Sequence, residues 1–246
     1  PILAIYSTFL QRAYDQLIHD VALQKLDVTL AIDRAGFVGG DGATHAGIFD
    51  VSYLRCIPNM IIMSPSDENE CWKMLSTGYN YSGPAAIRYP RGEGPGTEIS
   101  KSFDLLEIGK AKVINETPSD LVIFSFGNML DLSIEIADQI NCSLVDMRFI
   151  KPLDEELIKK FAKTHKHIIS IEENVITGGA GSAVNEYLAK IGYAEKLKIF
   201  GIPDEFPIVG SQDDQREAAG LTKNKILERL VIDLNLKDLN KKVTAQ

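Results

Sequence analysis

Residues 60–89 read MIIMSPSDENECWKMLSTGYNYSGPAAIRY, and this stretch combines two apolar runs with a helix signal between them. The runs MIIM (60–63) and AAIRY (85–89) are bounded by turn residues, as buried parallel strands are. Between them, Asp67 can cap a helix, and Glu70 three residues later completes a capping box. The stretch therefore predicts a strand–helix–strand unit.

The same alternation continues on both sides of this unit. Further apolar runs that predict strands lie at 2–6, 28–33, 120–127, 143–149, 167–174 and 197–203. Residues 9–24 predict an amphipathic helix, in which apolar side chains recur every four residues. Those side chains are Phe9, Ala13, Leu17 and Val21. Later helices begin after Asp154, a predicted N-cap, and after the glycines at 178–181. Repeated β-then-α units predict an α/β fold with two doubly wound domains, one in each half.

A stretch rich in glycine and proline, residues 91–100, interrupts the alternation. Such stretches end regular structure and commonly link domains. We therefore predict a first domain at residues 1–100 and a second domain at residues 101–246. The first domain opens directly on a strand at Pro1, which indicates that the chain is part of a longer protein.

Composition excludes several classes of partner. Among 246 residues, 34 are acidic and 26 basic, which gives a net charge of -8. Nucleic acids and anionic membranes require a basic surface, so neither is an expected partner. No apolar run approaches the roughly 18 residues of a membrane span. Three scattered cysteines without metal-ligand spacing favour reduced thiols and a cytoplasmic location.

Charged and aromatic residues gather where the predicted strands end. In doubly wound sheets, ligands bind beyond the carboxyl ends of the strands. Three segments of the first half follow predicted strands, so their side chains should share one edge of the sheet. The candidates are Tyr6, Arg34, Asp41, His45, Arg88 and Arg91.

The arginines of this set suit an anionic ligand. A guanidinium is a rigid fork of donors for phosphate or carboxylate oxygens, and Arg34 and Arg91 are the preferred candidates. The alternative is that each is an ordinary surface or ion-paired arginine. Arg88 lies inside its strand and is predicted to be the structural partner of an acid.

His45 lies in the glycine-rich loop GGDGATHAGIFD, residues 39–50. Asp41, four residues earlier, could fix the tautomer of its imidazole or bind a ligand hydroxyl beside it. A satisfied polar histidine is the alternative, and we adopt that interpretation for the other three. Those are His19, His165 and His167.

Two glycine-rich motifs resemble parts of known cofactor-binding sites. Gly-Asp-Gly at 40–42 resembles the start of the thiamine diphosphate and magnesium motif, but the paired asparagines that end that motif are missing. We therefore expect no metal site in this chain. GGAGSAVNE, residues 178–186, could hold a phosphate at a helix N-terminus, but it lacks the spacing of known phosphate loops. Close packing of its glycines is the favoured interpretation.

Six long motifs resemble the 1-deoxy-D-xylulose-5-phosphate synthase family, over essentially the whole chain. Four are similar to the family's pyrimidine-binding domain: YSTFLQRAYDQ, DRAGFVGGDGATHAGIFD, SPSDENE and RYPRG. Two are similar to its transketolase-type C-terminal domain: VDMRFIKPLD and EENVITGGAGSAVNE. The resemblance implies a transferase that uses thiamine diphosphate and Mg²⁺. Its substrates are pyruvate and D-glyceraldehyde 3-phosphate, and it feeds the non-mevalonate isoprenoid route and thiamine synthesis.

The resemblance also implies roles for particular residues. Phe9 matches the aromatic side chain that packs on the cofactor's aminopyrimidine ring. Asp41 and His45 match the pair that binds substrate oxygens, with His45 a candidate for proton transfer. The groups that match those holding the aldehyde's phosphate are Tyr6, Arg34 and Arg91.

The chain departs from the family pattern at its start. The family's activating glutamate precedes the first strand, and the domain that binds the diphosphate and Mg²⁺ lies further upstream. We therefore expect the chain to be inactive alone, to need an N-terminal part of the same enzyme, and to work as a homodimer. Two alternatives remain. One is a separate docking subunit of a thiamine-dependent transketolase or 2-oxo-acid dehydrogenase, and the other is a small-molecule binding module.

Overall fold

A computed structural model describes residues 1–234, which form two five-stranded sheets flanked by helices. The strands are β1 (Ile2–Tyr6), β2 (Thr29–Asp33), β3 (Ile61–Met63), β4 (Ala85–Arg88), β5 (Lys112–Asn115), β6 (Leu121–Ser125), β7 (Ser143–Asp146), β8 (Phe149–Lys151), β9 (His167–Val175) and β10 (Leu197–Ile202). The α-helices are α1 (Ser7–Leu10), α2 (Tyr14–Gln16), α3 (Asp50–Leu54), α4 (Glu68–Asn80), α5 (Leu130–Ile140), α6 (Glu155–Thr164), α7 (Ala180–Lys190), α8 (Gln212–Ala218) and α9 (Lys223–Asp233).

The first sheet has the order β1-β2-β4-β3-β8, and its first four strands are parallel. In the register of these strands, Tyr6 is opposite Asp33 and Ile32 is opposite Arg88. The last residues of β1, β2 and β4 therefore meet at one edge of the sheet.

The second sheet has the order β10-β9-β6-β7-β5, with only the edge strand β5 antiparallel. Both sheets are therefore dominated by parallel strands covered by helices, and the predicted α/β fold with two doubly wound domains is confirmed. One apolar core runs through both halves, since Leu30 and Ile62 belong to the same buried cluster as Phe124 and Phe161.

Strand β8 crosses from the second half into the first sheet. The predicted strand 143–149 is divided at Arg148, whose φ of 54° lies in the left-handed region. After this bend, β8 pairs antiparallel with β3, and Phe149 is fully buried against Ile61 and Met63. A strand that follows residue 100 thus completes the first sheet.

The helical segment predicted at 9–24 is present at residues 7–22, but it is not one regular α-helix. Residues 7–22 wind as α1, a 3₁₀ turn, α2 and a π-helical turn at Leu17–Ala22. Leu10 and Leu17 are buried, but Phe9 remains 39% exposed. A period of four residues does not distinguish an α-helix from such a mixture of tighter and wider turns.

Of the two capping interactions predicted at the N-terminus of α4, one is present. Asp67 accepts a hydrogen bond from the backbone N–H of Glu70 at 2.7 Å, which confirms the N-cap. Glu70 does not complete a capping box, because its buried carboxylate instead accepts a hydrogen bond from Arg148 at 2.7 Å. The predicted N-cap of α6 is confirmed by Asp154, which accepts from the N–H of Leu157 at 3.1 Å.

Residues 91–100 carry no regular structure, as predicted, but they are anchored to α4. The carboxylate of Glu68 accepts hydrogen bonds from Gly96 at 2.9 Å and Thr97 at 3.1 Å. Within residues 1–234, no helix has the length and apolar character needed to cross a membrane.

Candidate functional site

The structure brings six predicted residues together at the carboxyl edge of the first sheet. Tyr6 ends β1, Arg34 follows β2, and Arg91 lies three residues beyond β4. The remaining three come from α1 and from the glycine-rich loop after β2. They are Phe9, Asp41 and His45.

The carboxylate of Asp41 lies between two arginines. The same carboxylate oxygen of Asp41 accepts two hydrogen bonds, one from Nε of Arg34 and one from Nε of Arg91, each at 3.0 Å. These side chains are only partly exposed: 23% for Asp41, 23% for Arg34 and 40% for Arg91. Each Nε is one of five N–H donors on its guanidinium, so both arginines keep further donors for an anion. The arrangement suits a phosphate or carboxylate group.

The position of Arg34 depends on an unusual backbone conformation. Its φ is 57°, in the left-handed region that side chains other than glycine rarely adopt. Its guanidinium carbon lies 4.1 Å from the centroid of the Tyr6 ring, a cation–π contact. Strained residues of this kind cluster at binding sites. Tyr6 and Arg34 therefore form one rigid wall of the site.

Aromatic contacts join His45 to the same wall. Phe9 stacks on Tyr6 with ring centroids 5.4 Å apart and meets His45 edge-on at 5.5 Å, while the guanidinium carbon of Arg12 lies 6.0 Å from the centroid of the Phe9 ring. The hydroxyl of Thr44 lies 3.0 Å from Nδ1 of His45. Thr44 is thus the hydrogen-bond neighbour of the imidazole, whereas the carboxylate of Asp41 is bonded to Arg34 and Arg91. Of the two roles considered for Asp41, the geometry therefore leaves the binding of a ligand hydroxyl as the prediction. Thr44 was missed, although a hydroxyl directly beside a candidate histidine was a usable signal.

The loop that carries Asp41 and His45 is closed at its base. Gly36 and Gly47 exchange two backbone hydrogen bonds, at 2.7 and 2.9 Å. A Cβ added to Gly47 would overlap the carbonyl oxygen of Arg34 and would lie 2.9 Å from Cα of Ala35. Only glycine allows this close approach of two backbones. The glycines therefore present the loop's polar residues at the sheet edge.

Two concave regions adjoin the six residues. Phe9 lines a cavity of about 280 Å³ together with Thr8, Ala43, Thr44, Phe49 and Phe206. Arg91 lines a cleft of about 450 Å³ together with Asn128, Gln212 and Arg216 of the second half. The first region has aromatic side chains suited to a planar ring. Among residues 1–234, no group of three or more His, Cys, Asp or Glu side chains could hold a metal ion.

Arg88 lies behind the loop and has the structural role that was predicted. It is 5% exposed and donates to both carboxylate oxygens of Asp50, at 2.8 and 3.1 Å. Although burial opposes its charge, Asp50 holds the pKa of Arg88 above its usual value. Arg88 also donates to the carbonyls of Gly47 and Glu173. It thereby ties the base of the loop to the second half.

The second glycine motif is closed by the chain itself. Ala180 and Gly181, at the N-terminus of α7, donate to the carboxylate of Glu172 at 2.7 and 2.8 Å. Burial raises the pKa of Glu172 to about 7, although these two N–H groups lower it. The place of a bound phosphate is thus taken by a side chain, and close packing of the glycines is the correct interpretation. The other histidines lie outside the six-residue site; His165, for example, is buried against Ser143.

The two halves, each built on a sheet of mostly parallel strands, match two domains of the transketolase class. Residues 1–97 match the family model "Transketolase, pyrimidine binding domain", and residues 109–226 match "Transketolase, C-terminal domain". The chain belongs to the transketolase family.

Within this family, the expected resemblance to 1-deoxy-D-xylulose-5-phosphate synthase is confirmed. The synthase of Hahella chejuensis is 54% identical over 98% of this chain. The synthase of Psychromonas ingrahamii is 55% identical over 91% of it. The chain spans 37% and 36% of the lengths of these two relatives.

Solved structures show the same architecture. A split-gene transketolase, described as an inactive beta4 tetramer, is similar with a TM-score of 0.85 and 28% identity, over 96% of this chain and 77% of that one. Transketolase from Campylobacter jejuni gives a TM-score of 0.72 at 21% identity, over 96% of this chain and 35% of that one. At that identity, the second likeness concerns the fold alone.

Proposed function

We propose that this chain is the substrate-facing part of a 1-deoxy-D-xylulose-5-phosphate synthase. This transferase joins pyruvate to D-glyceraldehyde 3-phosphate, releases CO₂ and gives 1-deoxy-D-xylulose 5-phosphate for non-mevalonate isoprenoid and thiamine synthesis. The observation that carries the proposal is the Arg34–Asp41–Arg91 arrangement beside His45. It combines two guanidinium groups that keep further N–H donors with a group that can transfer a proton.

In this proposal, the phosphate of the aldehyde binds to Arg34 and Arg91, with Tyr6 completing the pocket. The chain's net charge of -8 repels an anion at long range, so these local donors must provide the attraction. Asp41 holds both guanidinium groups and accepts a hydrogen bond from a substrate hydroxyl. His45, oriented by Thr44, donates a proton to or removes one from a substrate oxygen.

Phe9 fits the aromatic ring of thiamine diphosphate. Its ring is 39% exposed and lines the 280 Å³ cavity, so a planar ring can pack on it without displacing a core side chain. When bound, the cofactor supplies the nucleophilic carbon and the electron sink for decarboxylation. We assign the Mg²⁺ and diphosphate ligands, and the activating glutamate, to an N-terminal part of the same enzyme. The support is that the relatives are almost three times as long as this chain.

We further propose that the complete enzyme is a homodimer in the cytoplasm. Strand β1, at the edge of the first sheet, and the turn after residue 22 carry exposed apolar side chains. These are Ile2, Leu3, Leu23 and Leu26. An apolar surface of this kind favours association with another protein surface. The cytoplasmic location rests on the scattered, unpaired cysteines Cys56, Cys71 and Cys142.

Arg34→Ala and Arg91→Ala should each raise the KM for D-glyceraldehyde 3-phosphate in the complete enzyme. Each removes a charge-assisted contact worth about 1.5–3 kcal/mol, or about 10- to 150-fold in KM. Steady-state kinetics with the aldehyde varied measure the effect, and the KM for pyruvate should change little. Arg229→Ala, at an exposed arginine of α9, is the matched control. An unchanged aldehyde KM in both variants would place the phosphate site elsewhere.

The purified 246-residue chain should form no 1-deoxy-D-xylulose 5-phosphate when supplied with cofactor, Mg²⁺ and both substrates. Addition of an N-terminal part with the diphosphate-binding domain should restore product formation. Product made by the chain unaided would contradict the assignment of the activating glutamate to that part. The assay is product detection by mass spectrometry.

The alternative of a separate docking subunit is favoured by one observation. The chain covers 77% of a split-gene transketolase chain, a protein described as an inactive tetramer of one subunit type. Intact mass of the natural protein distinguishes the two possibilities. A mass near 27 kDa supports a separate subunit, whereas a mass almost three times larger supports one continuous enzyme.

A further inference from the structure

Helix α8 of the second half contacts the site loop, residues 39–50, next to Asp41; other contacts of the second half reach the end of this loop, at Ile48 and Phe49. Gln215 of this helix is 1% exposed, and its side-chain oxygen accepts a hydrogen bond from the N–H of Gly39 at 2.9 Å. Its side-chain nitrogen donates to the carbonyl of Ile208 at 2.9 Å, which fixes the amide orientation. The side chain is therefore a buried, oriented acceptor for one backbone group of the loop.

Gln212, three residues earlier on the same face of α8, contacts two site segments at once. Its side-chain nitrogen donates to the carbonyl of Phe37 at 2.7 Å and to the carbonyl of Arg91 at 3.4 Å. Residues three apart on a helix are neighbours, so both glutamines face the loop together. One side chain thus links the segment that carries Asp41 to the segment that carries Arg91.

The loop requires such external contacts because its glycines allow its backbone to adopt many conformations. Gly36, Gly39 and Gly42 have φ values of 83°, 60° and 77°, and glycine loses more conformational freedom on folding than any other residue. Between them lies Asp41, which must meet two guanidinium groups at 3.0 Å. A small rotation at Gly39 or Gly42 would break this arrangement.

We infer that Gln212 and Gln215 are positioning residues for the anion site. By holding the backbone of Phe37, Gly39 and Arg91, they set the spacing of Asp41 and the two arginines. The second half thereby controls the affinity for the substrate phosphate without touching it. The effect on affinity rests on the proposed function, whereas the positioning of the loop is measurable without it.

The test compares Gln215→Leu and Gln212→Leu with Asp213→Asn, an exposed neighbour on α8. Hydrogen exchange of the Gly39 amide is measured in the chain itself. Exchange should become at least about tenfold faster in Gln215→Leu, which lacks an acceptor. Unchanged exchange in Gln215→Leu would overturn the inference.

Kinetics of the complete enzyme provide the second measurement. Gln215→Leu and Gln212→Leu should raise the KM for D-glyceraldehyde 3-phosphate about tenfold, with kcat within threefold of the parent and Asp213→Asn unaffected. Gln212 is only half-buried, so its variant tests the inference even if Gln215→Leu folds poorly. Suppose that Arg91→Ala raises the KM for the aldehyde. Faster exchange of the Gly39 amide in Gln215→Leu, with an unchanged aldehyde KM, would then show that the second half does not control the affinity for the substrate. If Arg91→Ala also leaves KM unchanged, the proposed phosphate site has failed, and the inference about affinity fails with it.

Discussion

Replacing Arg88 with methionine is expected to lower the free energy of unfolding by about 3–5 kcal/mol. Arg88 donates to both oxygens of Asp50, and Asp50 is completely shielded from solvent. Without its partner, the buried carboxylate must stay unpaired or take up a proton, and either costs free energy. The carbonyls of Gly47 and Glu173 also lose a donor. Urea-induced unfolding, followed by circular dichroism, measures the loss.

Two further variants distinguish the loss of the Arg88–Asp50 ion pair from a general loss of stability. Arg229→Met removes an exposed arginine of α9 and should change the free energy of unfolding by less than about 1 kcal/mol. The double variant Arg88→Met/Asp50→Asn replaces the unpaired carboxylate with a neutral amide. It should therefore be more stable than Arg88→Met alone, by about 1–3 kcal/mol. A double variant that is less stable than the single one would show that burial of the charge is not the cause.

Gly47→Ala is expected to lower the free energy of unfolding by about 3 kcal/mol and to disrupt the anion site. The new methyl group would overlap the carbonyl oxygen of Arg34 and crowd Cα of Ala35, both of which are backbone atoms. Backbone at the end of a central strand cannot move aside as a flexible side chain can. Arg34 must therefore shift, and with it the contact to Asp41. Thermal unfolding measures the loss of stability, and the aldehyde KM of the complete enzyme measures the loss of the site.

Gly40→Ala is the matched control in the same loop. A Cβ on Gly40 meets no atom within 4 Å, and its φ lies outside the left-handed region. The free energy of unfolding should therefore change by less than about 0.5 kcal/mol. Equal effects of the two substitutions would mean that loop flexibility, and not the close approach at Gly47, determines the stability.

Local patterns in the sequence predicted most of the fold, because the signals for strands, helix starts and turns each lie within a short stretch of the chain. Apolar runs bounded by turn residues placed the parallel strands, and Asp67 and Asp154 marked the true starts of two helices. The rule that parallel strands present their carboxyl ends at one edge then placed Tyr6, Arg34 and Arg91 together. The burial of Arg88 inside a strand likewise indicated an acidic partner.

Contacts between distant segments could not be predicted in the same way. Gly39 and Gln215 are separated by 176 positions, and no local periodicity connects a loop glycine to a helical glutamine. The bend at Arg148 was hidden because the apolar pattern of 143–149 continues through it, while the backbone there turns from one sheet to the other. The contact of Asp41 with Arg91 joins segments that follow two different strands and are 50 positions apart, so no pattern within the loop could indicate it.

The passage of β8 into the first sheet has a consequence for how this protein can be divided. Cutting the chain near residue 100 would remove the edge strand of the first sheet and expose the hydrogen-bonding edge of β3. An exposed edge of that kind recruits other strands, so an isolated first half would be prone to aggregate. Any recombination of the two halves with those of related enzymes must therefore keep β3 and β8 from the same parent. The two halves must therefore be exchanged together, even though each has its own sheet.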